Sequence, residues 1–146
     1  MTVSSPSPIA MTPREVIART LWGEARGEGR AGMEAVACVI QNRARNPRWW
    51  GSSPTTVCLK PWQFSCWLAD DPNRPKLLAV TERDAAYRVA LGIADTLLSG
   101  RLADVTAGAD HYHTRTVSPA WSAGKTPVAV IGVHRFFRLE LRPPAG

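Results

Sequence analysis

The chemistry in this chain is best sought first at a carboxylate that continues an apolar helical stripe. Val16, Ile17 and Leu21, with the small Thr20 between them, recur at helical spacing, and counting three from Leu21 or seven from Ile17 lands on Glu24. The spacing therefore puts a carboxyl group on the buried face of a helix, near its C-terminal end. The partial negative charge of that end and the loss of solvent both raise a carboxyl pKa, the direction a proton donor at neutral pH requires. The same position also suits an ion pair with a nearby arginine such as Arg26, and periodicity alone leaves both readings open. Glu28 follows four residues later, but Gly27 and Gly29 leave its orientation undetermined. Its expected role is a supporting one at the site, in binding or behind it, or else a structural ion pair.

Other residues of chemical interest carry weaker signals. His111 and His113 flank Tyr112 at strand spacing, so both imidazoles share one face and Tyr112 takes the other. Such a pair can ligate zinc, yet no third ligand is evident, so no metal and no cofactor are expected. His134 is expected to pack or bond locally in the last strand pair. The three cysteines, Cys38, Cys58 and Cys66, are odd in number and fit no zinc spacing. Cys38 reads as core; Cys58 and Cys66 are within pairing distance along the chain, with the reduced state expected in a cytosolic protein.

The elements that must position these groups read as helices first and strands last. Thr12-Pro13-Arg14-Glu15 is a capping box that starts a helix over about 13–24. Gly23, Gly27, Gly29 and Gly32 are expected to break it into an open connection. Met33, Val36, Ala37, Ile40 and Ala44 mark a second helix over about 31–45, apolar on more than one side and central to the core, ended by Asn46-Pro47. From Pro47 to Pro75 five prolines and four tryptophans occur without sustained periodicity, which predicts a long ordered loop. Thr81 to Asp84 caps a third helix that carries Ala86, Val89, Ala90, Ile93 and Leu97 and stops at Gly100. Short β-like pieces follow at 109–114, 128–133 and 134–139. The class is α+β, with a small antiparallel sheet near the C-terminus.

At 146 residues and 45% hydrophobic composition, one domain is expected over 12–140, between a disordered leader at 1–11 and a frayed tail at 141–146. The net charge of +6 implies a polyanionic partner, and arginines scattered without a dense basic block favour a diffuse polyelectrolyte over nucleic acid. The first eleven residues lack the charged and apolar regions of a Sec signal, and no stretch is long and apolar enough for stable membrane insertion. Synthesis in the cytoplasm as a soluble protein is expected.

Four collinear segments resemble one family. Leu21-Trp-Gly-Glu24-Ala-Arg-Gly-Glu28-Gly with Gly32-Met-Glu-Ala-Val-Ala-Cys-Val-Ile-Gln-Asn-Arg43 resembles the opening of the SleB-type cell-wall hydrolases, the catalytic domain of spore-cortex-lytic enzymes that also occurs in phage and prophage lysins. Trp62-Gln-Phe-Ser65, Asp104-Val-Thr-Ala-Gly-Ala-Asp-His-Tyr-His113, and Pro119-Ala-Trp121 with Ile131-Gly-Val-His134-Arg-Phe136 resemble its later motifs in order. The resemblance implies a lysozyme-like fold of the lytic transglycosylase and goose-lysozyme type. It further implies cleavage of the bond between N-acetylmuramic acid and N-acetylglucosamine, with the catalytic glutamate falling on Glu24. One carboxyl that switches from acid to base suffices when the sugar's own 6-hydroxyl is the nucleophile, whereas ordinary glycosidases need two.

For a glycan substrate, flat aromatic faces stack on sugar rings while amides and hydroxyls bond their edges. Trp62, Gln63, Phe64 and Ser65 supply that mixture, Trp121 is a further candidate, and Tyr112 offers a hydroxyl near the reacting sugar. Trp49, Trp50 and Trp67 suit the anchoring of a long loop equally well. The expected partner is the peptidoglycan glycan strand, met by a monomer that reaches the wall after holin-type release, as a phage or prophage endolysin. Three other functions compete: a hydrolytic muramidase using Glu24 and a second acid such as Glu28, a zinc amidase using His111 and His113, and a non-catalytic basic module.

Overall fold

Thr12 opens the first helix with the expected reciprocal cap: its hydroxyl accepts from the Glu15 amide at 3.2 Å while the Glu15 carboxylate accepts from the Thr12 amide at 3.1 Å. The structure is a computed structural model that describes residues 10–140; the expected leader and tail lie outside the described residues, except Ala10 and Met11. Met11 is buried in the core rather than part of a leader. Helix α1 spans Pro13–Ala25 and α2 spans Gly29–Arg45, joined by one 3₁₀ turn at Arg26–Glu28. Of the four glycines expected to break the helix, only Gly27 and Gly29 lie at the junction, and Gly29 takes a left-handed φ of +70°. Gly23 instead sits within α1 because a Cβ there would lie 2.8 Å from Cys66 Cβ. Gly32 sits within α2, where a Cβ would strike the Glu28 side chain at 2.6 Å.

The expected long loop is partly helical. Helix α3, Pro54–Leu59, begins at a Ser53–Thr56 capping box with proline at its first position; α4 covers Asn73–Ala79, and a 3₁₀ turn covers Ser65–Trp67. Helices of one or two turns are too short to display a 3.6-residue period, which is why this region reads as loop. Helix α5, Ala85–Leu98, is capped by Asp84 alone, whose carboxylate accepts from the Tyr87 amide at 2.9 Å.

Helix α1 packs against all four other helices. Every residue from Val16 to Gly23 is buried, so the helix is enclosed well beyond its apolar stripe. Arg19 makes this possible: its guanidinium donates to Leu77 O at 2.9 Å and Tyr87 Oη at 2.8 Å and pairs with Glu15. The sheet has the expected antiparallel form, with β1 (His111–Thr114), β2 (Ala129–Ile131) and β3 (His134–Phe137) in the order β1-β3-β2. Its Phe136 packs with Ala35 and Val39 of α2. Asp104 staples the approach to β1 onto α2, accepting from Thr106 and Gly108 amides and from Asn42 Nδ2 at 3.0 Å, while Asn42 also donates to Ala109 O. The three cysteines are buried and unpaired.

Candidate active site

Where the last turn of α1 meets β1, the two elements bound a cleft of about 490 Å³, in the range of small-molecule sites. Glu24 faces into it. The Tyr112 hydroxyl donates to Glu24 Oε1 at 3.1 Å, which orients the carboxyl. Burial pushes the Glu24 pKa up to about 7; the nearby charge of Asp71 adds to the rise, and the Tyr112 hydrogen bond opposes it. No arginine pairs with Glu24 among the described residues, and Arg26 lies 4.0 Å over the Trp22 ring while donating to Trp22 O and Asn73 Oδ1. Glu24 is thus poised as a proton donor near neutral pH, and it is the one carboxylate lining the cleft among the described residues.

The segment expected to meet a glycan lies along the cleft, with its residues in different roles. Trp62 is 80% exposed at a left-handed φ of +70°, a conformation a bulky residue rarely adopts, and it presents its indole at the rim. Gln63, half-buried, and Ser65, exposed, line the cleft with polar side chains. Phe64 is buried, packed 6.4 Å from the Tyr112 ring, so it forms floor more than contact surface. Trp121 lines the far side at 37% exposure. Of the tryptophans read as anchors, Trp50 is fully buried and donates to Arg43 O, and Trp67 donates to Thr20 Oγ1.

Glu28 does not join them. Its carboxylate pairs with Nδ1 of the buried His134 and accepts from the Val133 amide at 3.3 Å, so it pins the β2–β3 turn to the helical body. Glu28 is therefore not among the residues lining the cleft; it holds His134, whose ring centroid stands 5.2 Å from that of Tyr112. Gly132, at φ +58°, occupies the first position of that two-residue turn, as a type II′ hairpin requires.

Three further residues enter the cleft or its floor. Arg43 is buried under the floor, its Nε donating to Asp110 O at 2.7 Å and its guanidinium facing the Trp50 ring at 5.3 Å. Trp49, for which anchoring and glycan contact are equally open from the sequence, is 45% exposed and lines the cleft. His111, for which a metal role is the less favoured alternative to a surface or hydrogen-bonded one, lines it too, with Nδ1 2.9 Å from Asp110 Oδ1. His113 turns its Nδ1 to Thr114 O at 2.7 Å, and no cluster of three potential metal ligands occurs among the described residues. The strand spacing of His111 contained the signal for a shared face, and what it lacked was the position of Trp121 against that face.

A profile described as Cell Wall Hydrolase matches residues 27–137, most of the chain. The chain belongs to the cell wall hydrolase family. This cell wall hydrolase domain is 30% identical over 123 residues to a spore cortex-lytic enzyme of Halalkalibacterium halodurans, an alignment that takes in 84% of the chain and 33% of that protein. The chain thus spans about a third of the curated relative's length. It is similar in fold to the crystal structure of the catalytic domain of the Bacillus cereus SleB protein (TM-score 0.63, 23% identity, 85% of this chain and 88% of that one). It is also similar to the catalytic domain of the germination-specific lytic transglycosylase SleB from Bacillus anthracis (TM-score 0.62, 24% identity, 89% and 98%). The cell wall hydrolase domain therefore has the SleB-type fold, a lysozyme-like helical body with a small antiparallel sheet. The matched family span opens three residues after Glu24, so the case for that residue rests on its own surroundings.

Proposed function

We propose that this domain cleaves the glycosidic bond between N-acetylmuramic acid and N-acetylglucosamine in peptidoglycan, acting as a lytic transglycosylase with Glu24 as its acid and base. The observation that carries this reading is a lone, largely buried carboxyl with a pKa near 7, facing an aromatic-rimmed cleft and held by Tyr112. The name of the Bacillus anthracis structure, a lytic transglycosylase, supports the same chemistry.

In the proposed reaction the Glu24 carboxyl gives its proton to the glycosidic oxygen as the C1–O bond breaks. The resulting carboxylate then takes the proton of the 6-hydroxyl as that oxygen closes on C1, giving a 1,6-anhydro sugar and restoring the acid. Because the nucleophile comes from the substrate, no second carboxylate is needed, and the commitment of Glu28 to His134 is consistent with that.

Mass spectrometry of digested peptidoglycan tests the reading. Anhydro-muramic ends are expected; reducing ends alone would replace transglycosylation with hydrolysis, and cleaved peptide stems would point to an amidase. The +6 charge supports attraction to an anionic wall. We place the domain, as a monomer, in a phage or prophage lysis setting; co-expression with a holin-type pore is then expected to lyse the host, and expression without it is expected not to.

A further inference from the structure

The far wall of the cleft is more fully built than the proposed chemistry requires. His111, the first residue of β1, has its ring centroid 5.1 Å from that of Trp121 and 6.4 Å from that of Trp49. The two indoles are 37% and 45% exposed, and all three rings line the cleft. The His111 ring is held from behind by Asp110, a fully buried carboxylate whose oxygens accept from the Leu139 amide at 2.8 Å and the Glu140 amide at 2.7 Å. With both oxygens accepting from backbone amides, Asp110 acts as an acceptor, and we assign the imidazole proton to Nδ1, 2.9 Å from Asp110 Oδ1. In neutral His111 that leaves Nε2 an acceptor. The nearest carboxylate oxygen to Nε2, Glu140 Oε2, stands 3.8 Å away, beyond hydrogen-bonding distance, and both Glu140 oxygens accept from Trp49 Nε1 at 3.0 Å.

A buried aspartate that orients an imidazole between two half-exposed indoles is a recognition arrangement: two flat apolar faces with a fixed acceptor between them. Neither feature is needed for proton transfer at Glu24. Building on the proposed function, we infer that Trp49, His111 and Trp121 form a sugar subsite on the β1 side of Glu24. It takes an N-acetylhexosamine ring, with His111 Nε2 accepting from its amide N–H or a hydroxyl. In this subsite His111 is a binding residue, Asp110 its positioning residue, and Glu140 the residue that fixes the Trp49 indole.

The test uses the whole chain carrying Glu24→Gln, which binds without cleaving, and an undigested peptidoglycan tetrasaccharide as probe, followed by calorimetry. Adding His111→Ala is expected to weaken binding about fivefold to tenfold, the loss of one hydrogen bond, and adding Trp121→Ala about tenfold. Trp121→Phe is expected to restore most of that loss. With Glu24 intact, His111→Ala is expected to raise KM by a similar factor and change kcat by less than about threefold. Unchanged affinity in both His111→Ala and Trp121→Ala would overturn the subsite, and so would a fall confined to kcat. Should His111→Ala fail to fold, the tryptophan pair decides alone. Absence of tetrasaccharide binding by the Glu24→Gln protein itself, or absence of cleavage by the unaltered one, would instead defeat the proposed function beneath it.

Discussion

The last turn of α1 and the 3₁₀ turn that follows it each carry a glutamate, four residues apart in sequence, and the two carboxyls meet opposite fates. Glu24 reaches a tyrosine hydroxyl and an open cleft; Glu28 reaches a buried histidine and a strand turn. A neutral partner and little solvent hold the first near its protonated form, whereas the second is held in direct contact with a buried imidazole and a backbone amide. The lesson is that adjacency along a helix end does not make two carboxyls a catalytic pair; their partners across the fold decide.

The sharpest way to break this comparison is Glu24→Gln. It should lower cleavage of purified peptidoglycan by roughly 10³-fold or more, since it removes the group proposed both to give and to take the proton. Stability should move the other way. The carboxyl ionises near 4.5 in the ordinary unfolded setting and near 7 when folded, so the stability of its protonated form is full below 4.5 and lost as pH rises through about 7. The variant should therefore unfold later than the parent at pH 8, by an amount on the order of 2–3 kcal/mol, with the gap closing toward pH 4. A lower melting temperature at pH 8 would mark Glu24 as a structural ion-pair partner.

Glu28→Ala should do the reverse. Leaving His134 buried without its partner costs about 2–3 kcal/mol in urea unfolding, while kcat measured well below the melting temperature stays within about threefold. A loss of kcat as large as that of Glu24→Gln, in a folded variant, would restore Glu28 as a second acid. The smallest effect should come from Tyr112→Phe. With Glu24 as the proposed donor, cleavage by the parent should fall as pH rises through about 7. Since the Tyr112 hydrogen bond opposes the rise in the Glu24 pKa, removing it should move that alkaline limb to higher pH, with about a tenfold drop in kcat.

Periodicity and capping made much of the scaffold legible: the Thr12 box, the stripe ending at Glu24, the three long helices and the antiparallel strands all appear where spacing puts them. The short helices α3 and α4 escaped because one or two turns carry no measurable period. Gly23 was misread for a related reason: its smallness serves contact with Cys66, a residue 43 positions away, and not the chain bend that glycine signals locally.

What the sequence by itself determined was therefore local, the face of each helix and strand on which Glu24, Tyr112 and the histidines lie. Only the tertiary structure decided which of those faces meet. Tyr112 reaches Glu24 across 88 residues, His134 claims Glu28, and Arg43, Trp49 and His111 enter the cleft because separate elements converge there. Spacing along the chain records which way a side chain points, whereas desolvation and hydrogen-bond partners depend on what the fold brings against it.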